Sequence, residues 1–389
     1  MSNKTTRPGA IWYDCTKSAK ATHRSGLQRV AHKLLEELGG AARPIQGVDW
    51  VQQAGSEDWF LTAEVFAPSE RPGFSEVLAN RPCRMAAVFY DAIPLKQPHI
   101  TWPASVARHP AYMKMLASFD LVLAISEASR RELLDYWAWL GLARVPRVEA
   151  IRLGSNFDAS PRVLPKPERT AGPPLLLCVG IIEPRKNQEF LLRVCESLWG
   201  SQSRLSGESL VGDSSLGAGF ELHVIGRVNP HFGKPIVERM RRGRRPFYFA
   251  GRCEAHCRSL AARPQRKALG GGRVYYHEHL SDEGLAGLYE RVSVTVFPTI
   301  AEGCGLPVLE SLWRGVPCLC SDIPAIRENA DEGGALLLPP NDGEAWARAI
   351  REVVETGSPL LARLRSEVAV RSLPTWADTA QQVLGYLGL

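Results

Sequence analysis

Two series of short apolar runs, each alternating with amphipathic segments, run through the chain and leave few architectures open. In the first series AIWYDCT (10–16) reads as a buried strand. GLQRVAHKLLEELGG (26–40) reads as a helix with Leu27, Val30, Ala31, Leu34, Leu35 and Leu38 on one face and Gly39 placed to end it. Strands follow at MAAVFYD (85–91) and DLVLAIS (120–126), the latter entering a helix at 127–141 with Ser126 as its cap. The pattern then lapses into NFDASPRVLPKPERTAGPP (156–174), whose prolines and charges suit an interdomain linker.

The second series places strands at 174–180, 220–226, 273–279, 294–299 and 316–322, and helices at 187–199, 281–291, 307–315 and 341–354. Asn341 and Glu344 have the spacing of a capping box for the last helix, and the Gly/Ser-rich stretch 200–219 reads as a surface loop. Strand–helix alternation repeated in two halves predicts an α/β chain of two doubly wound, Rossmann-like domains with mostly parallel sheets. A crevice between them is the expected place for a ligand. The expected boundaries are 1–165 and 166–372, with 373–389 forming a C-terminal helix that returns to the first domain.

Composition supports a folded chain and narrows its setting. A length of 389 residues fits two domains of about 100–200 residues each. Hydrophobic residues at 45% and charged residues at 23% exclude a disordered polymer. No apolar run reaches the roughly 18 residues of a membrane span, and MSNKTTRPGAIWYD lacks the apolar core of a secretory signal, so a cytoplasmic location is expected. The nine cysteines are odd in number and scattered in apolar surroundings, which suits buried thiols. Cys253 and Cys257, with His256 beside them, begin a zinc-like spacing that no second pair completes, and Cys318-x-Cys320 falls in a strand; no metal site is expected.

The net charge of +6 is modest, but Arg239, Arg241, Arg242, Arg244 and Arg245 crowd one short segment. That cluster reads either as a solvated loop or as a contact for an anionic membrane surface, at which the protein would be peripheral. No aromatic interleaving or nucleic-acid module accompanies it, so nucleic acid is not an expected partner.

Two stretches carry chemistry. Gly180-Ile-Ile-Glu-Pro-Arg185-Lys186-Asn187 lies between a strand and a helix, where unpaired N–H groups and two cations would favour an anion such as phosphate. Arg185 and Lys186 as surface charges, with Asn187 capping the helix, is the structural alternative. VFPTIAEGCGLPVLESLWRGVPCLCSD (296–322) holds Glu302 and Glu310 around Gly303 and Gly305, whose missing side chains let backbone approach a ligand. Pro307 suits the first helical position, which would put Glu310 in the first helical turn, able to accept from a ribose diol. Two carboxylates also suit a glycosidase pair, but such a pair needs no phosphate site.

VGIIEPRKN together with AEGCGLPVLE and SLWRGVPCLCSDIPAIREN closely resembles glycosyltransferase family 4, retaining enzymes of the GT-B fold. The resemblance is strong over about 174–345 and weaker over 10–160. It implies that Arg185 and Lys186, near Gly180, bind the donor diphosphate, and that Glu302 contacts hydroxyls of the transferred sugar. It implies further that Gly303, Cys304, Gly305 and Leu306 offer backbone, that Glu310 binds ribose, and that His279 and Leu280 border the base. THRSGLQRV (22–30) is similar to a loop of the subset acting on polysaccharide or O-antigen intermediates, with Gly26 admitting phosphate and Gln28 and Arg29 as either ligands or ordinary helix residues. VFYDAIPL (88–95) departs from the His-Asp of many relatives, having Tyr90-Asp91, and leaves Asp91 as a candidate for a substrate hydroxyl or a simple turn residue.

The implied function is transfer of a sugar, with GDP-mannose the first expectation, from a nucleoside diphosphate to a glycan or lipid-linked glycan. The implied chemistry keeps the anomeric configuration, with the departing phosphate taking the acceptor proton. The first domain would bind the acceptor and the second the donor, with no cofactor; no Asp-x-Asp motif is present, so activity without metal is expected. The alternatives are a GT-B-like nucleotide-sugar epimerase and a non-catalytic nucleotide-sugar-binding scaffold.

Overall fold

A computed structural model describes residues 9–20, 25–157, 160–166, 172–204, 219–243, 247–249 and 272–389. The chain divides into one compact unit of residues 1–160 with 373–389 and a second of residues 161–372. Each is built around one parallel sheet, as strands buried on both faces and joined through helices require.

The first sheet has the order β2-β1-β3-β4-β5-β6, with β1 Ile11–Asp14, β2 Ala42–Ile45, β3 Trp59–Thr62, β4 Arg84–Phe89, β5 Leu121–Ala124 and β6 Arg147–Ala150. Every adjacent pair is parallel. Its core stacks Trp12, Trp50, Phe60 and Phe74 between sheet and helices. The helix Gly26–Leu38 opens with a capping box in which Ser25 N donates to Gln28 Oε1 at 2.6 Å, and Gly39, at φ 51°, ends it. Ser126 caps the helix Glu127–Trp139 through its Oγ, 3.0 Å from Ser129 N. The final helix, Trp376–Leu387, packs against Gly26–Leu38 within the same unit.

The second sheet has the order β13-β12-β11-β7-β8-β10-β9, with β7 Leu175–Val179, β8 Glu221–Ile225, β9 Phe247–Phe249, β10 Arg273–His277, β11 Val294–Phe297, β12 Cys318–Ser321 and β13 Ala335–Leu338. All of these neighbours are parallel as well. Five strands that the apolar pattern alone does not announce are β2, β3, β6, β9 and β13, and four of them are sheet edges. Edge strands need only one apolar flank, so β2, with Arg43 and Pro44 exposed, carries no alternation to read.

Two sequence expectations shift in register. The helix Gly343–Val354 is capped by Asp342, whose Oδ1 accepts from Glu344 N and Ala345 N, and not by Asn341. Asn341 takes the left-handed conformation at φ 63°, where its side chain faces Asn187 instead. The helix after β11 starts at Leu306, with Pro307 its second residue, so Glu310 lies in the second turn and not the first.

Parts of several expectations fall outside the described residues: the loop residues 22–24, most of the Gly/Ser-rich stretch, Arg244, Arg245, and the Cys253, His256 and Cys257 group. Among the described residues no cluster of three or more His, Cys, Asp or Glu side chains could hold a metal, and no helix is long and apolar enough to cross a membrane.

Candidate functional site

The strand order of the second sheet fixes where a ligand would meet it. From β7 the chain passes to β8 on one side, while β11, on the other side of β7, continues outward to β12 and β13. The adjacent pair β7 and β11 is therefore the topological switch point, where the loops leaving the two strands diverge and open a crevice beyond their carboxyl ends. Arg185 and Lys186 follow β7, and Glu302 follows β11.

These side chains meet there. Lys186 Nζ lies 2.5 Å from Glu302 Oε1, Arg185 Nη1 lies 3.2 Å from the same oxygen, and the Thr299 hydroxyl donates to it at 2.8 Å. All three contacts fall on Oε1. Arg185 is held further by Glu183 Oε1 at 2.8 Å and by the Ala301 carbonyl at 2.9 Å, while Asn229 Nδ2 donates to Glu183 Oε2 at 3.0 Å. The backbone carbonyl of Arg185 in turn accepts from Ile300 N, tying the two loops together.

Burial sets the electrostatics, because only 11% and 10% of the Lys186 and Glu302 side chains are accessible. Burial pushes the Lys186 ammonium below its ordinary range, while Glu302 works to keep it charged. For Glu302, burial favours the neutral acid, but Lys186, Arg185 and the Thr299 hydroxyl together outweigh it and hold the carboxyl below the usual range. Arg185 and Lys186 are thus balanced by Glu183 and Glu302, and an arriving dianion would be met by cations already oriented and desolvated.

Glycines shape the same crevice. A Cβ on Gly226, at φ 151°, would lie 1.9 Å from the Gly180 carbonyl oxygen, so the ends of β7 and β8 approach closely only without a side chain there. Gly305, at φ 83°, is the residue before the Leu306–Trp313 helix, and a Cβ on it would strike Ile326 at 2.2 Å. Gly303, Cys304 and Gly305 are all buried, and the Cys304 carbonyl already accepts from Asn329 Nδ2 at 2.7 Å. Leu306 is half-buried at the helix start.

Other candidates lie further along the same edge. His279 is exposed and Leu280 half-buried after β10, two strands from β7, hence roughly 9–10 Å across the sheet at the usual strand spacing. In the first unit, Gly26 has open space where a side chain would be, Gln28 closes the capping box, and Arg29 lies over the Phe157 ring at 4.1 Å. Tyr90 is buried, with its hydroxyl donating to the Ala63 carbonyl at 2.7 Å and near Leu27 O at 3.2 Å. Burial pushes its phenol well above the ordinary range, so it serves as a tie between elements and not as an acid or base.

Of the described arginines in the basic cluster, Arg239 pairs with Glu196, Arg242 lies 3.9 Å from Glu238, and Arg241 lies over Phe249. Sequence reasoning missed Glu183, Thr299 and Asn229. Glu183 stands beside the cations in EPRK and was legible as their counter-charge; nothing local marks Asn229, which arrives from the loop after β8.

Beneath this edge a polar file crosses the sheet. His223 Nδ1 lies 3.1 Å from His277 Nε2, its Nε2 lies 3.5 Å from Glu221, and its ring stacks on Tyr275. Burial lowers the His223 pKa despite the Glu221 carboxylate. An unfolded histidine titrates near about 6.5, so the unfolded chain binds the proton first and stability falls as pH drops below that value. The urea midpoint of the wild type should fall between pH 7.5 and 5.5 more steeply than that of His223→Gln; equal slopes would refute the assignment.

The model of the family "Glycosyl transferases group 1" matches residues 231–356, a span that includes Glu302, the Gly303–Gly305 turn and Glu310. That span is about a third of the chain, and the match is a similarity to this family. It is 24% identical over 362 residues to the serotype-specific mannosyltransferase WbdA of Escherichia coli, covering 82% of this chain and 39% of WbdA. It is also 26% identical over 250 residues to the O-antigen chain mannosyltransferase B of Escherichia coli, covering 62% of this chain and 54% of that protein. The chain thus spans about two fifths of the length of the WbdA proteins it matches. Among solved structures, the α,α-trehalose 6-phosphate synthase of Burkholderia multivorans superposes with a TM-score of 0.58 at 13% identity, over 94% of this chain and 77% of the synthase. The family resemblance read from VGIIEPRKN and AEGCGLPVLE is borne out, and so is the GT-B fold of two Rossmann-like domains.

Proposed function

We propose that this chain is a retaining hexosyltransferase that moves mannose from GDP-mannose to a hydroxyl of a glycan or lipid-linked glycan in surface-polysaccharide synthesis. The observation that carries the reading is the buried Arg185–Lys186–Glu302 cluster at the switch point of the second sheet. The two mannosyltransferase relatives support the choice of sugar. In this reading the donor diphosphate lies against Arg185 and Lys186, Glu302 Oε2 accepts from sugar hydroxyls, Glu310 takes the ribose, and His279 and Leu280 border the base.

As the bond from the anomeric carbon to phosphate stretches, negative charge grows on the diphosphate. Fixed cations then stabilise the transition state more than the bound donor. The leaving phosphate takes the acceptor proton, and the cations replace a divalent ion. Asp91, in the first unit, is assigned to an acceptor hydroxyl.

Thermal stability against GDP, UDP, ADP and dTDP tests the donor class. A nucleotide at about 100 times its dissociation constant adds roughly 2.7 kcal/mol. GDP alone should raise the melting temperature; stabilisation by another nucleotide reassigns the donor, and stabilisation by none removes the transferase reading.

A further inference from the structure

The end of β4 is clamped on four sides. The Tyr90 carbonyl accepts from Ser129 Oγ at 2.6 Å, Ala92 N donates to Glu132 Oε2 at 3.1 Å, and Ile93 N donates to Asp91 Oδ1 at 3.0 Å. The fourth contact comes from His109, on the helix Pro103–Leu116, whose Nε2 lies 2.8 Å from the Asp91 carbonyl oxygen. Because a carbonyl only accepts, that nitrogen carries the proton and donates.

His109 is 5% exposed, packed against the Tyr112 ring with centroids 5.5 Å apart. Tyr112 is itself fixed by a bond from its hydroxyl to the Val88 carbonyl at 3.1 Å. A buried imidazole held in this way has few other rotamers, so its N–H is a rigid peg under the Tyr90–Asp91–Ala92 turn. The ordinary account of such a residue is a satisfied core histidine. Its placement argues for more, since the one peptide carbonyl it holds belongs to Asp91, whose carboxylate stands in the turn just after the strand.

We infer that His109 is a positioning residue for the transfer reaction, acting through Asp91. The inference rests on the reading of Asp91 as an acceptor-binding carboxylate. His109 fixes the peptide that carries Asp91, and the Asp91 carboxylate, anchored through Oδ1 to Ile93 N, is thereby aimed in one direction. Relaxing the peg lets the turn rotate and misaims the carboxylate, at a cost to acceptor use but not to nucleotide binding.

The test uses the full chain with GDP-mannose and an α-linked mannobiose as acceptor, following GDP release, with thermal stabilisation by GDP measured in parallel. His109→Leu should lower kcat/KM for mannobiose about tenfold, as loss of one positioning hydrogen bond allows, with GDP stabilisation unchanged. His109→Gln, whose amide nitrogen can replace Nε2 as donor, should recover most of the loss. If His109 acts through Asp91, the double variant His109→Leu/Asp91→Asn is no worse than Asp91→Asn alone. Losses that multiply, an Asp91→Asn variant with full activity, or a fall in GDP stabilisation that tracks the loss of turnover would overturn the inference. A wild type that binds GDP yet releases none from GDP-mannose overturns the transferase reading itself, and the positioning role with it.

Discussion

Replacing Arg185 and Lys186 together by alanine is expected to lower turnover of the proposed donor, GDP-mannose, by at least about 10³-fold, since removing even one preorganised donor to a developing charge costs roughly 10²–10³. The same variant loses its stabilisation by GDP. The single variants separate the two cations. Arg185 is tied to Glu183, to Glu302 and to the Ala301 carbonyl, so Arg185→Ala loosens both loops. Lys186→Ala removes a charge that is nearly buried and bound through one carboxylate oxygen. If both cations act on the leaving diphosphate, kcat falls more than KM rises in each case. A rise in KM with kcat intact would assign them to ground-state binding only.

Glu302→Ala destabilises the second unit by about 3–5 kcal/mol, the range for breaking a buried ion pair from one side. An exposed pair would give only about 0–1 kcal/mol. Exposures of 11% and 10% place Lys186 and Glu302 in the first class. Truncating Glu302 strands the Lys186 ammonium away from water, beside Arg185 and the Phe297 ring. Lys186→Met combined with Glu302→Ala should therefore recover a large part of the loss, because the charge left alone is gone. Urea unfolding of the two single variants and the double variant measures this coupling; additive losses would show that the pair is not the unit that holds the two loops together.

Much of this site was readable before the structure because parallel α/β sheets put strand-end loops on one edge. The residues after VGIIEP and VFPTIA had to share that edge once both runs were strands, and the switch point between β7 and β11 brings them together. The exact ion pairing was not readable. Glu302 looked free to face a sugar, whereas one of its oxygens is held by Lys186, Arg185 and Thr299.

Edge strands were the main gap in the fold. β2 and β6 carry exposed charges, and β9 is only three residues long, so neither alternation nor an unbroken apolar run marks them. Helix starts slipped by a residue where two good capping residues stand side by side, as with Asn341 and Asp342. Left-handed backbone at Asn341 decides that choice, and it depends on the turn before the helix and not on propensity.

The proposed reaction is transfer with retention from a nucleoside diphosphate sugar, driven by protein cations. The most direct measurement is the product formed from GDP-mannose and an α-linked mannobiose in the presence of a chelator, with its new linkage assigned by NMR. Metal-free retaining transfer gives GDP release at an undiminished rate and a trisaccharide carrying a new α-mannosidic bond. A β-linked product, turnover that stops in chelator, or an epimerised nucleotide sugar with no new glycosidic bond would contradict it.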